Sequence, residues 1–191
     1  DGDGDVLVAN SMPGGAIAGL RNATGDGTTQ WRRYDLAPGL IPPIDMRLVD
    51  ANGDSRKDIL SISGLHIVGG SSIDAATGIV GLYVNLGEMT FTPPAQVDLP
   101  GYPVEVTLGD FNHDGQQDLA ALIASPAVCC TTGDAIHVLF GSRDGGLTRF
   151  ADIFMNGDLA TGITKREGAL VSDILLADQS GSMKIVDNRS R

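Results

Sequence analysis

An internal repeat is the feature of this sequence that most constrains its fold. An aspartate followed at once by a short apolar segment recurs four times along the chain, at Asp5, Asp58, Asp118 and Asp173. The spacings are 53, 60 and 55 residues. Repeats of this length are typical of architectures in which one supersecondary unit packs against the next.

Each repeat contains several short segments with the pattern of a strand. In one of them Val104, Val106 and Leu108 alternate with polar residues, the period of two that a half-buried strand shows. Four of the predicted strands begin at the repeated aspartates. Further strands are predicted at 17–21, 31–36, 46–49, 79–85, 96–99, 104–108, 135–140, 150–154 and 183–186. Because glycines interrupt 158–173, we predict a loop followed by a strand there.

Four short strands per unit predict one antiparallel sheet per repeat, the arrangement of a propeller blade. The predicted fold is therefore all-β, a single β-propeller segment over 1–191. Its repeats fall at about 1–50, 51–110, 111–172 and a partial 173–191, or about 3.4 blades. Since rings of about four or more blades are the rule, we expect completion by further blades of a longer chain or by self-association.

The charge of the chain excludes some partners. The formal net charge is −11, and the 13 Lys and Arg form no cluster, so binding to nucleic-acid phosphates is excluded. No apolar run is long enough to insert into a membrane. Of the 24 acidic residues 21 are Asp, which favours turns and oxygen-ligand sites over helix surfaces.

Two nine-residue segments, 50–58 and 110–118, share the pattern D-x-N-x-D-[G/S]-x-x-D. Oxygen side chains at positions 1, 3, 5 and 9, with the backbone carbonyl of position 7, suit Ca²⁺, which takes about six to eight oxygen ligands. The predicted ligands are Asp50, Asn52, Asp54, Arg56 and Asp58 in the first loop and Asp110, Asn112, Asp114, Gln116 and Asp118 in the second.

Two alternatives compete with this interpretation. An EF-hand would need helices on both sides and a Glu at position 12, where Ser61 and Ala121 stand, so that motif is excluded. Asp- and Asn-rich turns that close hairpins without a metal remain an alternative. Because Gly115 stands where the first loop has Ser55, turn strain predicts tighter binding by the second loop.

Four segments, 48–60, 81–91, 106–120 and 138–150, resemble the FG-GAP/VCBS repeats of β-propellers, found in integrin α-subunits and many secreted bacterial proteins. The resemblance implies blades with Ca²⁺ in an inter-strand turn, held by the loop residues named above. It also implies an extracellular location, secreted or at the cell surface, and a role in adhesion or ligand display.

The first and last repeats depart from the loop pattern. The opening Asp1, Asp3 and Asp5 have the right chemistry, but aligning Asp5 with Asp58 leaves this loop too short, so it is a weaker candidate metal site. Before Asp173 the sequence has one acid and two cations. We therefore expect that repeat to have kept its strand and lost its metal site.

Four further residues are candidates for covalent modification. The adjacent Cys129 and Cys130 are compatible with a vicinal disulfide, with bonds to other chains or with free thiols. Asn22 and Asn188 each begin an N-glycosylation sequon.

The sequence contains no catalytic motif, so no catalytic or cofactor-binding residue other than the Ca²⁺ ligands is predicted. We expect a non-catalytic, extracellular, Ca²⁺-stabilised propeller segment that assembles with partners or binds an extracellular protein or carbohydrate. One alternative is the propeller domain of a secreted polysaccharide lyase or hydrolase. Another is a structural subunit of an extracellular fibre.

Overall fold

The computed structural model describes most of the chain and consists of strands and turns. The described residues are 4–10, 17–22, 31–37, 43–69, 72–124, 135–154, 160–167, 172–178 and 182–186. No helix occurs among them, so the all-β prediction is confirmed. Within these ranges there is accordingly no apolar helix of membrane-spanning length.

Sixteen strands are present in the described ranges. They are β1 Val6–Ala9, β2 Ile17–Asn22, β3 Trp31–Ala37, β4 Pro43–Val49, β5 Asp58–Gly69, β6 Ser72–Tyr83, β7 Asn85–Gly87, β8 Thr90–Phe91, β9 Ala95–Leu99, β10 Tyr102–Gly109, β11 Asp118–Ala124, β12 Ala135–Gly141, β13 Leu147–Phe154, β14 Ala160–Glu167, β15 Ser172–Asp178 and β16 Met183–Val186.

These strands form four antiparallel sheets and one small hairpin. The first sheet has the order β1-β2-β3, the second β4-β5-β6-β9, the third β10-β11-β12-β13 and the fourth β14-β15-β16. The hairpin β7-β8 follows the third strand of the second sheet. Short turns between sequential neighbours account for this order, since antiparallel strands need only a tight connection.

The predicted strands are present, but two of them belong to a different sheet from the one expected. The strands that we placed last in the first and second repeats, 46–49 and 104–108, lie in β4 and β10. Each pairs with the strand after the Asp-rich loop and so begins the next sheet. The segment predicted as loop and strand contains β14, and the β7-β8 hairpin was not predicted.

The central strands of the second and third sheets are covered on both faces. In β11, Leu119, Ala121 and Ile123 pack with residues of the second sheet, whereas Ala120 and Leu122 pack with residues of the fourth. Alternate side chains of a strand point to opposite faces, so the third sheet is sandwiched between its two neighbours. This explains the unbroken apolar run after Asp118 in the sequence.

The sheets follow one another in sequence order. The first and second meet around Ile17, Ile59 and Tyr83, all buried. The third and fourth also meet at their first strands, where the Ile163 N–H donates to Glu105 Oε2 at 3.0 Å. The described sheets do not form a closed propeller.

Candidate metal centre

Each Asp-rich loop joins the first two strands of a four-stranded sheet. The loop 50–58 connects β4 to β5, and the loop 110–118 connects β10 to β11. Strands therefore flank both loops, which confirms that neither is an EF-hand. The hairpins hold the ends of each loop together, because Val49 pairs with Asp58 and Gly109 with Asp118.

The aspartate at position 1 organises each loop by accepting backbone hydrogen bonds. In the first loop, Asp50 Oδ1 accepts from Gly53 N at 2.8 Å and Asp54 N at 3.0 Å, and Oδ2 accepts from Ser55 N at 2.9 Å. A short polar side chain that bonds the N–H groups ahead of it stabilises a tight turn. The carboxylate thereby folds the loop around itself.

The second loop repeats this arrangement. Asp110 Oδ1 accepts from Asp114 N at 3.1 Å, and Oδ2 accepts from Gly115 N at 2.9 Å. The carboxylates of positions 1 and 5 carry about four lone-pair sites each, so these hydrogen bonds do not exhaust their capacity to accept a cation.

Positions 3 and 5 are linked to each other identically in the two loops. The Asn52 amide donates to Asp54 Oδ2 at 3.1 Å and accepts from Asp54 N at 3.0 Å. The corresponding distances between Asn112 and Asp114 are 2.9 and 3.0 Å. In each loop the position 5 carboxylate also accepts from the N–H of position 7 at 2.8 Å.

Two residues per loop adopt a left-handed backbone, and only one of the two is glycine. The φ angles are +78° at Gly53 and +68° at Ser55 in the first loop, and +64° at His113 and +80° at Gly115 in the second. A residue with a Cβ is strained there, and each loop has one such residue. Turn strain is thus matched in the two loops, and Ser55 does not make the first loop the weaker site.

The aspartate at position 9 has a structural role that extends beyond the loop. Asp58 and Asp118 are fully buried. Their Oδ2 atoms accept from the N–H of position 2, at 2.8 Å from Ala51 and 2.7 Å from Phe111. Their Oδ1 atoms accept from a backbone N–H near the end of the sheet's third strand, at 2.8 Å from Asn85 N, two residues beyond β6, and at 2.9 Å from Gly141 N, the last residue of β12.

Burial raises the pKa of Asp118 above its ordinary value, although the N–H groups of Gly141, Phe111 and Asn112 lower it. The Asp114 charge also raises it. A buried carboxylate near a second carboxylate is costly to ionise without a compensating cation.

The loops differ at position 7. Arg56 turns back on its own loop, where an Nη atom lies 2.6 Å from Asp54 Oδ2 and Nε donates to Asn85 O at 3.0 Å. The hydrogen bond from Arg56 N is the largest cause that lowers the Asp54 pKa, and the guanidinium lowers it further. Gln116 is instead buried, and its Oε1 accepts no hydrogen bond from the described part of the chain.

The donor atoms fit a hard cation, although their side chains are not gathered around one point. Among the described residues, no three His, Cys, Asp or Glu side chains converge as a metal-holding group. Each loop nevertheless offers only oxygen ligands, three carboxylates, one amide and the position 7 carbonyl, the set that Ca²⁺ prefers. In the second loop the side-chain oxygen of the buried Gln116 accepts no hydrogen bond from any described residue.

The first repeat retains the position 9 contact. Asp5 Oδ1 accepts from Asn22 N at 2.9 Å, as Asp58 does from Asn85 and Asp118 from Gly141. Asp5 is exposed, whereas its two counterparts are buried. Asp1 and Asp3 lie outside the described residues, so the opening metal site stays a prediction.

The remaining modification candidates fall largely outside the described residues, as Cys129, Cys130 and Asn188 do. Asn22 ends β2 and is half-buried. Asp173 is buried at the start of the fourth repeated strand.

A polar cluster around the buried His137 in the third sheet was not anticipated. His137 on β12 is 2% exposed, and its Nδ1 lies 2.5 Å from Asp152 Oδ1. Arg149 binds the same carboxylate through two nitrogens, at 3.0 and 2.6 Å. Arg149 and Asp152 share a face because β13 has a bulge opposite Val138 and Leu139, which the sequence pattern did not indicate.

The sequence matches no protein-family model and no curated protein. The interpretation of this site therefore depends on the residues and geometry of the two loops.

Proposed function

We propose that each of the two loops binds one Ca²⁺ ion and that the ions stabilise a propeller segment of the FG-GAP/VCBS type. One observation carries the proposal: two nine-residue loops, 60 residues apart, share the same network of side-chain and backbone hydrogen bonds between equivalent strands. The four successive sheets support the propeller interpretation. A bound Ca²⁺ would offset part of the negative charge of the three aspartates in each loop.

We place the protein outside the cell or on its surface, in a non-catalytic role of assembly or ligand display. Millimolar Ca²⁺ outside cells suits loops with modest affinity. The resemblance to adhesion and secreted propellers supports the same location.

Calcium titration of the metal-free protein tests this proposal. We expect calorimetry to show two Ca²⁺ per chain, and Ca²⁺ at a hundredfold excess over Kd to stabilise the fold by about 2.7 kcal/mol per site. Asp50→Ala and Asp110→Ala should each remove one site, whereas the exposed Asp98→Ala on β9 should retain both. Mg²⁺ should substitute poorly, since it prefers about six ligands at shorter distances. No heat of binding and no change in Tm with chelator would refute the proposal.

Exposed apolar faces at both ends of the row of sheets favour assembly as a second role. In the fourth sheet Ile174 packs against the third sheet, so Leu175 points the other way, on the same face as Ile185 and Met183. Ile185 is 50% and Met183 73% exposed. We propose that a further sheet covers this face, supplied by a longer chain or a second copy.

The first sheet has a corresponding outer face. Leu7 packs toward the second sheet, which leaves Val6 and Val8 on the opposite face, 43% and 42% exposed. The inner sheets bury both of their faces against neighbouring sheets. A further sheet of the same type would cover each end face in the same way.

A further inference from the structure

The two loops differ in charge although they agree in geometry. Each has three aspartates, but Arg56 and Lys57 stand at positions 7 and 8 of the first loop, where the second has Gln116 and Gln117. With His113 neutral, the formal charge is −1 for the first loop and −3 for the second.

Arg56 is fixed over its loop by contacts at both ends of the guanidinium. Its Nε donates to the Asn85 carbonyl, which belongs to the β7-β8 hairpin beyond the loop, and an Nη atom reaches Asp54 Oδ2 at 2.6 Å. Asn85 is itself tied to the loop, because its amide donates to Lys57 O at 2.9 Å. The positive charge is therefore held at one of the predicted ligands.

We propose that the residue at position 7 sets the order in which the loops take up Ca²⁺. Arg56 acts as an internal counter-ion on the Asp54 carboxylate and weakens the first site, so the second loop fills first. This inference rests on the proposed function, because it assigns different affinities to the same two sites.

At the same position of the second loop stands Gln116, which is neutral, whereas Arg56 is positively charged. Gln116 adds no charge, and its buried Oε1 accepts no hydrogen bond within the described ranges. A buried oxygen without a donor is unfavourable. In the second loop, therefore, no positive side chain at position 7 offsets the charge of the three aspartates before a cation binds.

Coulomb's law bounds the size of the effect. One positive charge about 6 Å from a divalent ion, in surroundings close to water and at physiological salt, opposes binding by roughly three- to tenfold. We accordingly expect the second loop to bind Ca²⁺ roughly three- to tenfold more tightly than the first.

Calorimetric Ca²⁺ titration of single-site proteins tests the inference. Asp110→Ala silences the second loop and Asp50→Ala the first, so each affinity is read separately. In the Asp110→Ala protein, adding Arg56→Gln should raise the affinity roughly three- to tenfold, and Arg56→Lys should leave it within about twofold. Lys57→Gln is the matched control: it removes one charge from a side chain that makes no contact with Asp54, and should change the affinity less than Arg56→Gln.

The outcomes separate the inference from the proposed function. If Arg56→Gln changes the affinity less than twofold in a protein that still binds one Ca²⁺, the inference fails and the calcium function stands. An effect of Lys57→Gln as large as that of Arg56→Gln would also overturn it, since bulk charge would then suffice. If neither loop of the wild-type protein binds Ca²⁺, the proposed function itself is wrong.

Discussion

At the scale of single residues, the aspartates of one loop have two different tasks. Asp114 is exposed, and its hydrogen bonds with the described residues lie within its own loop, whereas Asp118 is fully buried and joins the loop to the end of β12. Gly141 makes that junction possible, because a Cβ there would lie 2.2 Å from the Gln117 carbonyl oxygen. Asp118 thus supports the fold through buried contacts, whereas the contribution of Asp114 is expected mainly in the proposed binding of Ca²⁺.

This division predicts different costs for the two substitutions in metal-free protein. Asp118→Ala leaves the Phe111, Asn112 and Gly141 N–H groups without their acceptor and should lower the free energy of unfolding by about 2–4 kcal/mol. Asp114→Ala should cost less than about 1.5 kcal/mol without Ca²⁺, yet abolish stabilisation by Ca²⁺ at the second loop. Denaturant unfolding with and without Ca²⁺ measures both, and equal costs in chelator would contradict the division.

At the scale of elements, the bulge in β13 determines the surroundings of His137. Phe150, the residue at the bulge, is exposed and stacks on Phe140 with ring centroids 4.1 Å apart. The bulge also puts Arg149 and Asp152 on the face of His137. Burial lowers the His137 pKa from 6.5, which outweighs the opposing effect of the Asp152 carboxylate. Arg149 shares that carboxylate and lowers the His137 pKa further.

The direction of this shift predicts a loss of stability in mild acid. Below pH 6.5 the unfolded chain takes up a proton at His137 that the folded protein does not, so the free energy of unfolding should fall as the pH drops from 6.5 to the lowered folded-state pKa. The pKa of Asp152 is lowered, first by its hydrogen bond with Arg149, so it stays ionised in this range.

Urea unfolding of metal-free protein between pH 7.5 and 5 measures this dependence. The matched His137→Gln protein removes the titrating group, and the difference between the two curves isolates its contribution. A wild-type stability that rises relative to His137→Gln as the pH falls would show that Asp152 dominates and that the His137 pKa is raised instead.

At the scale of the whole molecule, the sheets bury apolar side chains between them but leave apolar faces at both ends. Val6 and Val8 lie on one end face, and Met183 and Ile185 on the other. Exposed sheet surfaces of this kind promote association.

We therefore expect the 191-residue chain to self-associate at micromolar concentration through its end faces. Ile185→Lys should shift the sedimentation coefficient toward the monomer, because it puts a charge on the face to be buried. Leu86→Lys is the control, since Leu86 is 57% exposed on the β7-β8 hairpin, which is part of neither end sheet. A monodisperse, stable wild-type monomer with and without Ca²⁺ would contradict the expectation.

The sequence by itself determined the features that are encoded locally. A loop of nine residues carries its own acceptors and its own left-handed positions, so 50–58 and 110–118 could be recognised from spacing alone. Alternation and the recurring aspartates likewise located nearly every strand and the all-β class.

Only the tertiary structure decided which distant groups meet. Alternation assigns side chains to two faces but does not say which sheet covers each face, so the transfer of β4 and β10 to the following sheet was not foreseen. The contacts of Asp58 with Asn85 and of Asp118 with Gly141 join residues 27 and 23 positions apart. Such contacts, like the bulge that brings Arg149 to His137, depend on strand pairing and register, which arise only when the whole sheet has formed.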